Sequence, residues 1–435
     1  VEENHHGFIF SCNDDGRITG LATDGDVRRG MLNGISIGDP IEKCVNKSFI
    51  WMKAGSTREQ LIKKLDSHIK FIPILDHSGK LMSVISKDHL PLQEEQSIYI
   101  RSRAPVRVSF GGGGSDLTHY FKDRPGAVIN TAISIYSHGV MRVRDDAKII
   151  INSLDLGATL TASDLEDAIG QEGPFGLIQS LLHVVRPKYG FELCLHSDFP
   201  VGSGLGGSSV VMSAIIGCFN EFRIDKWTKH EMAEMAYQAE RLSFKISGGW
   251  QDQYATVFGG INFMEFKKNK NIIHSLKIDN EVLLELKENL ILCDTCSTHV
   301  SSDIHNDQKK QLQDQKIINN LVSSNVDLTY EIRDSLLNGD LSSIGKYLDK
   351  AWKHKRKYSS KISNERLDNI YNTALKYGAL GGKLLGAGGG GFFIFYCEPI
   401  KSSNLKRELE LLNTKIINFE FEQNGLASWK VRKTI

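Results

Sequence analysis

One stretch, Pro200-Val-Gly-Ser-Gly-Leu-Gly-Gly-Ser-Ser209, restricts this chain more than any other. It follows an apolar, strand-like run at 191–195 and leads into helical periodicity over 208–222. A glycine-rich turn that feeds a helix leaves backbone N–H groups unpaired at the positive end of the helix dipole. Such a turn is a ready site for phosphate. Gly202, Gly204 and Gly207 fit GxGxxG, but the chain does not go on as a dinucleotide unit must. A polar turn at 223–227 runs straight into Thr228-Lys-His-Glu231, a capping box that opens another helix. Strand, loop, helix, helix is not strand–helix–strand. GxxxxGK[ST] is also absent from the sequence, which excludes a P-loop.

Two further glycine clusters share the chain with this one. The first is Arg103-Ala-Pro-Val-Arg-Val-Ser-Phe-Gly-Gly-Gly-Gly-Ser-Asp116, where alternating Val106, Val108 and Phe110 predict a strand within 98–110. The glycines after it let backbone approach a ligand, and Asp116, His119 and Tyr120 follow as polar groups suited to a sugar. The second, Gly386-Ala-Gly-Gly-Gly-Gly391, lies between a helix expected over 364–377 and a strand over 392–396. It reads as a loop closing over something bound elsewhere. Of the 40 glycines, thirteen fall within 111–114, 202–207 and 386–391, so the excess is local and does not signal disorder. Between the clusters stands Gly248-Gly-Trp-Gln-Asp252, preceded by a helix expected over 228–244 that carries Glu240. A carboxylate just past a Gly-Gly turn is a candidate base, and Glu240 a candidate Mg²⁺ ligand; taken singly, each is more commonly a solvated surface acid.

Together these motifs resemble the GHMP kinases across about residues 98–435. The Pro-x-Gly-x-Gly-Leu-Gly-x-Ser-Ser string, Gly-x-x-Asp-Gln and the last glycine cluster are that family's three signatures in order. Within the family, the segments around Arg107 and Asp252 look most like a heptose 7-phosphate kinase. The resemblance implies an α+β, two-lobe fold: a ribosomal S5 domain 2-like lobe over 99–280 and a ferredoxin-like lobe over 281–435. It implies ATP and Mg²⁺ as cofactors. Gly202, Gly204, Leu205, Gly206, Gly207, Ser208 and Ser209 would hold the ATP phosphates, with Gly388 and Gly389 lining the site from the second lobe. Ser208 and Glu240 would ligate Mg²⁺. Asp252 would take the proton of the anomeric hydroxyl, and Arg107 would steady Asp252 and the developing charge. Gly113, Ser115, Asp116, His119 and His299 would meet the sugar. His299, in Thr295-Cys-Ser-Thr-His299, stands where the compared members carry Arg, which weakens the expectation that the substrate already bears phosphate. Lys353, Lys355, Arg356 and Lys357 offer charge nearby, though as a run they read first as a solvated helix face.

The front of the chain repeats itself. Residues 8–26 and 71–89 align without a gap at an offset of 63, each as strand, turn closed by Gly16 or Gly79, strand, and helix start. Helices are expected over 25–32 and 57–65. The stretch over 1–93 resembles a CBS-domain pair with an incomplete first copy, followed by a linker at 94–98. The resemblance implies an adenine nucleotide site at Thr23 and Asp26, within Gly20-Leu-Ala-Thr23-Asp-Gly-Asp26. The second copy has His89 where the ribose-binding Asp belongs. A packing or dimerising module that binds nothing is the nearly equal alternative, and a homodimer follows by analogy with such pairs.

Charge and cysteines narrow the partners. With 53 Lys plus Arg against 52 Asp plus Glu, the chain is not a nucleic-acid binder held mainly by phosphate contacts. Seven scattered cysteines do not form a secreted disulfide framework, and Cys293-Asp-Thr-Cys296 has no second pair for zinc. No basic flank followed by an apolar core opens the chain and no apolar run spans a membrane, so a cytoplasmic protein is expected. The leading expectation is a kinase acting on the anomeric hydroxyl of a heptose 7-phosphate, giving the 1,7-bisphosphate for nucleotide-heptose and surface glycan synthesis. Its rivals are a kinase of an unphosphorylated sugar such as fucose, and a non-catalytic nucleotide or sugar sensor.

Overall fold

The computed structural model describes residues 7–56, 58–65, 69–86, 97–200, 202–244, 248–297 and 315–432. It forms two compact units: residues 1–98 with 432–435, and residues 99–431.

In the front unit, strands Phe8–Cys12 and Ile18–Thr23 pair antiparallel through a turn closed by Gly16 at φ +78°. Leu81–Ser86 and Phe71–Leu75 repeat that hairpin through Gly79 at φ +82°. Met52–Lys53 adds to it in parallel, across the helix Arg58–Lys64. The two hairpins meet at an Arg17–Lys80 bridge and at the rings of Phe8 and Phe71, 4.5 Å apart. The first copy's helix, Asp24–Leu32, opens on a capping box. The Thr23 N–H and hydroxyl donate to Asp26 Oδ2 at 2.9 and 2.6 Å, and Arg29 donates to its Oδ1 at 2.7 Å. Burial raises the Asp26 pKa, but these donors outweigh it and hold the carboxyl below its ordinary value. The two residues expected at a nucleotide site are thus hydrogen-bonded to each other.

The second unit is built around Gly126–Val143, an 18-residue strand that is long enough to pair along its length with three neighbours. These are Ser97–Gly111, Phe191–Ser197 and Ile261–Lys267, all antiparallel. Ile149–Ser153 adds in parallel to Phe191–Ser197, and Ala158–Ala162 and Lys270–Ser275 complete the two sides. The eighth strand, Ala427–Arg432, comes from the far end of the chain and pairs with Ser97–Gly111. The second lobe therefore returns a strand to the first sheet, which the expected cut at 280/281 does not allow for. Helices Gly207–Phe222, Lys229–Tyr237 and Gln251–Phe258 add Met212, Ile215, Phe219, Ala233, Ala236 and Tyr254 to one continuous core with Met141, Leu193 and Leu195 of the sheet.

A second sheet orders its strands Ala379–Leu384, Phe392–Cys397, Leu290–Asp294, Lys415–Ile417. All three pairings are antiparallel. In chain order this is 2-3-1-4 with helices at both crossovers, the ferredoxin-like arrangement. Its core joins the first sheet's: Val106, Val108 and Phe110 share a cluster with Leu328, Ile332, Leu348 and Ile394. Two local expectations change. The last glycine cluster follows a strand, Ala379–Leu384, and not a helix, so it is a hairpin turn. That strand has no β-branched residue and two adjacent glycines, so its composition argues against a strand. The helix expected over 228–244 gives way at Gln238–Ser243 to a π-helical turn, and that turn carries Glu240.

Candidate active site

The phosphate-type loop has the backbone its sequence demands. Gly202, Gly204 and Gly206 lie at φ +80°, +75° and +78°, in the left-handed region that glycine adopts without a Cβ clash. The helix Gly207–Phe222 begins from Gly206 with no side-chain cap, so its first N–H groups remain available to an anion. Leu205 has its side chain fully buried in the core and anchors the loop, so only its backbone is free to meet a ligand. Beneath the helix start, Glu240 is 0% exposed. It accepts hydrogen bonds from the Ser208 hydroxyl, the Ser209 hydroxyl at 2.6 Å and Gln253 Nε2 at 2.7 Å, and pairs with Arg241 at 3.3 Å. These donors offset the desolvation of a buried carboxylate.

Asp252 lies in the first turn of Gln251–Phe258 and meets Arg107 from the strand Ser97–Gly111: Arg107 Nε donates to Asp252 Oδ1 at 2.7 Å. Arg107, 4% exposed, also directs Nη1 at the Gly204 carbonyl, 3.3 Å away. A Cβ on Gly206 would lie 3.1 Å from the Asp252 carboxyl group. Asp252, Arg107 and the phosphate-type loop thus converge. From the second lobe, a Cβ on Gly386 would lie 2.4 Å from the Gly204 carbonyl oxygen, so the two glycine loops touch backbone to backbone. Gly391 approaches Ser203 in the same way. Gly388 and Gly389, expected at the nucleotide, turn against Ile362, with the Gly389 N–H donating to its carbonyl at 2.8 Å.

The loop at 111–116 is closed on itself. Asp116 is 2% exposed and accepts the N–H groups of Gly114 and Gln251, each at 3.2 Å. Burial, and then repulsion from Asp252, push its carboxyl above the ordinary range. Gly249 is required here, because a Cβ would stand 1.8 Å from Asp116 Oδ2. Asp116 therefore holds the turn that presents Asp252. Ser115, expected at the sugar, is fully buried; its hydroxyl lies 2.8 and 2.9 Å from the carbonyls of Gly112 and Ala127 and accepts the Ala127 N–H. In this structure the Ser115 hydroxyl is thus engaged with backbone of its own loop and of the neighbouring strand. Gly113 is in open space and His119 lies exposed on the short helix Thr118–Phe121. His299 lies outside the described residues.

The family described as GHMP kinases N terminal domain matches residues 176–260, and that described as GHMP kinases C terminal matches 332–412. Over 338 residues the chain is 34% identical to the D-glycero-alpha-D-manno-heptose 7-phosphate kinase of Campylobacter jejuni, covering 76% of this chain and 99% of the relative. The chain belongs to the GHMP kinase family. Like its relatives it is a phosphotransferase acting on a sugar alcohol group. A crystal structure titled a D-glycero-D-manno-heptose 1-phosphate kinase from Bacteroides thetaiotaomicron superposes with a TM-score of 0.64 at 27% identity, covering 77% of this chain and all of that one. The bifunctional fucokinase/GDP-fucose pyrophosphorylase of Arabidopsis thaliana is 26% identical over 356 residues, 78% of this chain and 33% of that protein.

Three features of this GHMP kinase escaped sequence reasoning. Gln253 bridges Glu240 and Ser209 Oγ, the latter at 3.0 Å; its place beside Asp252 was the available signal. Trp250 stacks on Tyr237 at 3.5 Å and donates from Nε1 to Thr118 at 3.1 Å, which fixes the same turn. Of the basic run near 355, Lys353, Arg356 and Lys357 are exposed as read, but Lys355 turns inward. Its ammonium donates to the carbonyls of Leu384 and Gly386 at 2.8 and 2.6 Å, bracing the second glycine loop. Among the described residues no helix is long and apolar enough to cross a membrane.

Proposed function

We propose that this kinase transfers the terminal phosphoryl group of ATP to the anomeric hydroxyl of a heptose 7-phosphate, giving the 1,7-bisphosphate for nucleotide-heptose and surface glycan synthesis. The observation that carries the reading is the Arg107–Asp252 pair set against Gly204 and Gly206. Asp252 takes the hydroxyl proton as the sugar oxygen bonds to phosphorus and the bond from phosphorus to the ADP oxygen breaks. Arg107 keeps Asp252 oriented and adds positive charge where negative charge develops. The uncapped helix start holds the phosphate chain. Glu240, Ser208 and Ser209 supply hard oxygen donors that suit Mg²⁺, and among the described residues no group of three or more His, Cys, Asp or Glu could hold a metal. One carboxylate with hydroxyls is the set expected where nucleotide phosphates complete the coordination. Mg²⁺ would neutralise phosphate charge there.

A second reading, an unphosphorylated sugar such as fucose as acceptor, is favoured by the fucokinase relative and by the exposure of Lys353, Arg356 and Lys357. Incubation with ATP, Mg²⁺ and a panel of sugars separates the two: phosphorylation of fucose without heptose 7-phosphate overturns the first. A non-catalytic sensor would keep its ligand response in Asp252→Asn. For the front unit the proposal is a CBS-type pair in a cytoplasmic homodimer, binding adenine nucleotide near Thr23 and Asp26. Calorimetry of AMP on the full chain with Asp26→Ala tests it; AMP heat unchanged by the substitution removes that site.

A further inference from the structure

Lys383 is the penultimate residue of the strand that leads into the second glycine loop, and it is 6% exposed. Among the described residues no carboxylate lies within ion-pairing reach of it or of Lys355, and its ammonium makes no hydrogen bond. Burial, then the charge of Arg107, bring its pKa down to about 7. Lys355 is pushed well below the lysine range by burial and by both of these neighbours. Three basic groups therefore share the region where the two glycine loops meet, and among the described residues Asp252, on Arg107, is the acid paired to them. A lysine this largely buried and without a counter-ion is costly to keep charged. Lys355 has two carbonyls to offset this; Lys383 has none. The path is short: Lys383 feels the charge of Arg107, Arg107 bonds Gly204 and Asp252, and Gly386, three residues beyond Lys383, lies on Gly204. The missing negative charge belongs to a ligand seated there.

We infer that Lys383 is a further residue of the transfer site, placing its ammonium beside Arg107 against the terminal phosphoryl group of the nucleotide as that group passes to the acceptor oxygen. No bond to Lys383 forms or breaks; the proton still goes to Asp252. The inference rests on the kinase reading above, but not on the identity of the sugar.

The test is calorimetry on the full chain with Mg²⁺, using ADP and the imido analogue of ATP as probes. Lys383→Met is expected to weaken the triphosphate analogue tenfold or more and ADP less than threefold, and Lys383→Arg to recover the triphosphate to within threefold. A purely structural lysine moves both probes together or neither. The thermal midpoint of Lys383→Met should equal or exceed that of the parent, since a largely buried lysine without a counter-ion is replaced by an apolar side chain. Should that variant fail to fold, Lys383→Gln is read against the same thresholds. A folded variant that loses no more for the triphosphate than for ADP overturns the role of Lys383 and leaves the kinase reading standing. A parent protein that binds neither probe overturns both.

Discussion

Two glycine-rich loops, both entered from strands of the first sheet, have taken opposite parts. The loop at 202–206 leaves its helix start open: the helix it feeds is uncapped, and Asp252, the carboxylate beside Gly206, is held from the side by Arg107. The loop at 111–116 is closed. The Ser115 hydroxyl bridges Gly112 and Ala127, and Asp116 accepts two N–H groups. Both are rich in glycine, so glycine content does not separate chemistry from scaffold. Which donors and acceptors are already satisfied does separate them, because an open, preorganised group is what a ligand can meet.

Four experiments bear on that contrast. Asp252→Asn removes the proposed base beside the open loop; turnover should fall by about three orders of magnitude or more, roughly 4 kcal/mol on the barrier, with nucleotide binding kept. Turnover near the parent's would assign the proton elsewhere. Gly249→Ala drives a methyl into Asp116 and through it displaces Asp252, so a loss of about 2–3 kcal/mol in denaturant stability should come with reduced kcat. Stability lost without activity would uncouple the two loops. Ser115→Ala should destabilise by about 1–3 kcal/mol, since buried partners lose their hydrogen bonds, while the sugar KM stays within twofold. A larger KM change would return Ser115 to the sugar.

The smallest effect is a slope. Because burial and Asp252 raise the Asp116 pKa in the folded state, the folded protein binds more protons at this group than the unfolded chain. Its contribution to stability is thus greatest below about pH 4 and declines as pH rises toward the folded pKa. Replacing it with Asn should shift the melting difference in the variant's favour between pH 4 and pH 8. A difference that is flat, or that moves the other way, would show that Asp116 is ionised at no cost.

Much of this arrangement was readable in advance. The strand into Pro200, the helix from Gly207 and the Thr228 capping box all follow from neighbours within a few residues. Local signals of that kind also singled out Asp252 and Glu240 as candidates, and the family resemblance added Arg107. What failed to show was longer in range. The strand Ala379–Leu384 looked like loop because its glycines serve close packing, the π-turn under Glu240 has no composition of its own, and Ser115 resembled a ligand group until Ala127 was folded against it. Lys355 read as solvated because nothing in its neighbourhood in sequence announces the Leu384 and Gly386 carbonyls.

The sequence by itself determined where backbone must turn sharply and where a helix must start, since steric freedom at glycine and capping at a helix end are properties of consecutive residues. It also determined the family, through motifs that keep their order along the chain. Only the tertiary structure decided which polar groups stay available. Arg107 meets Asp252 across 145 residues and Gln251 meets Asp116 across 135, and those pairings set what each carboxylate can still bind. Hydrogen-bond satisfaction is settled by whatever folding brings within 3 Å, and no local pattern encodes that.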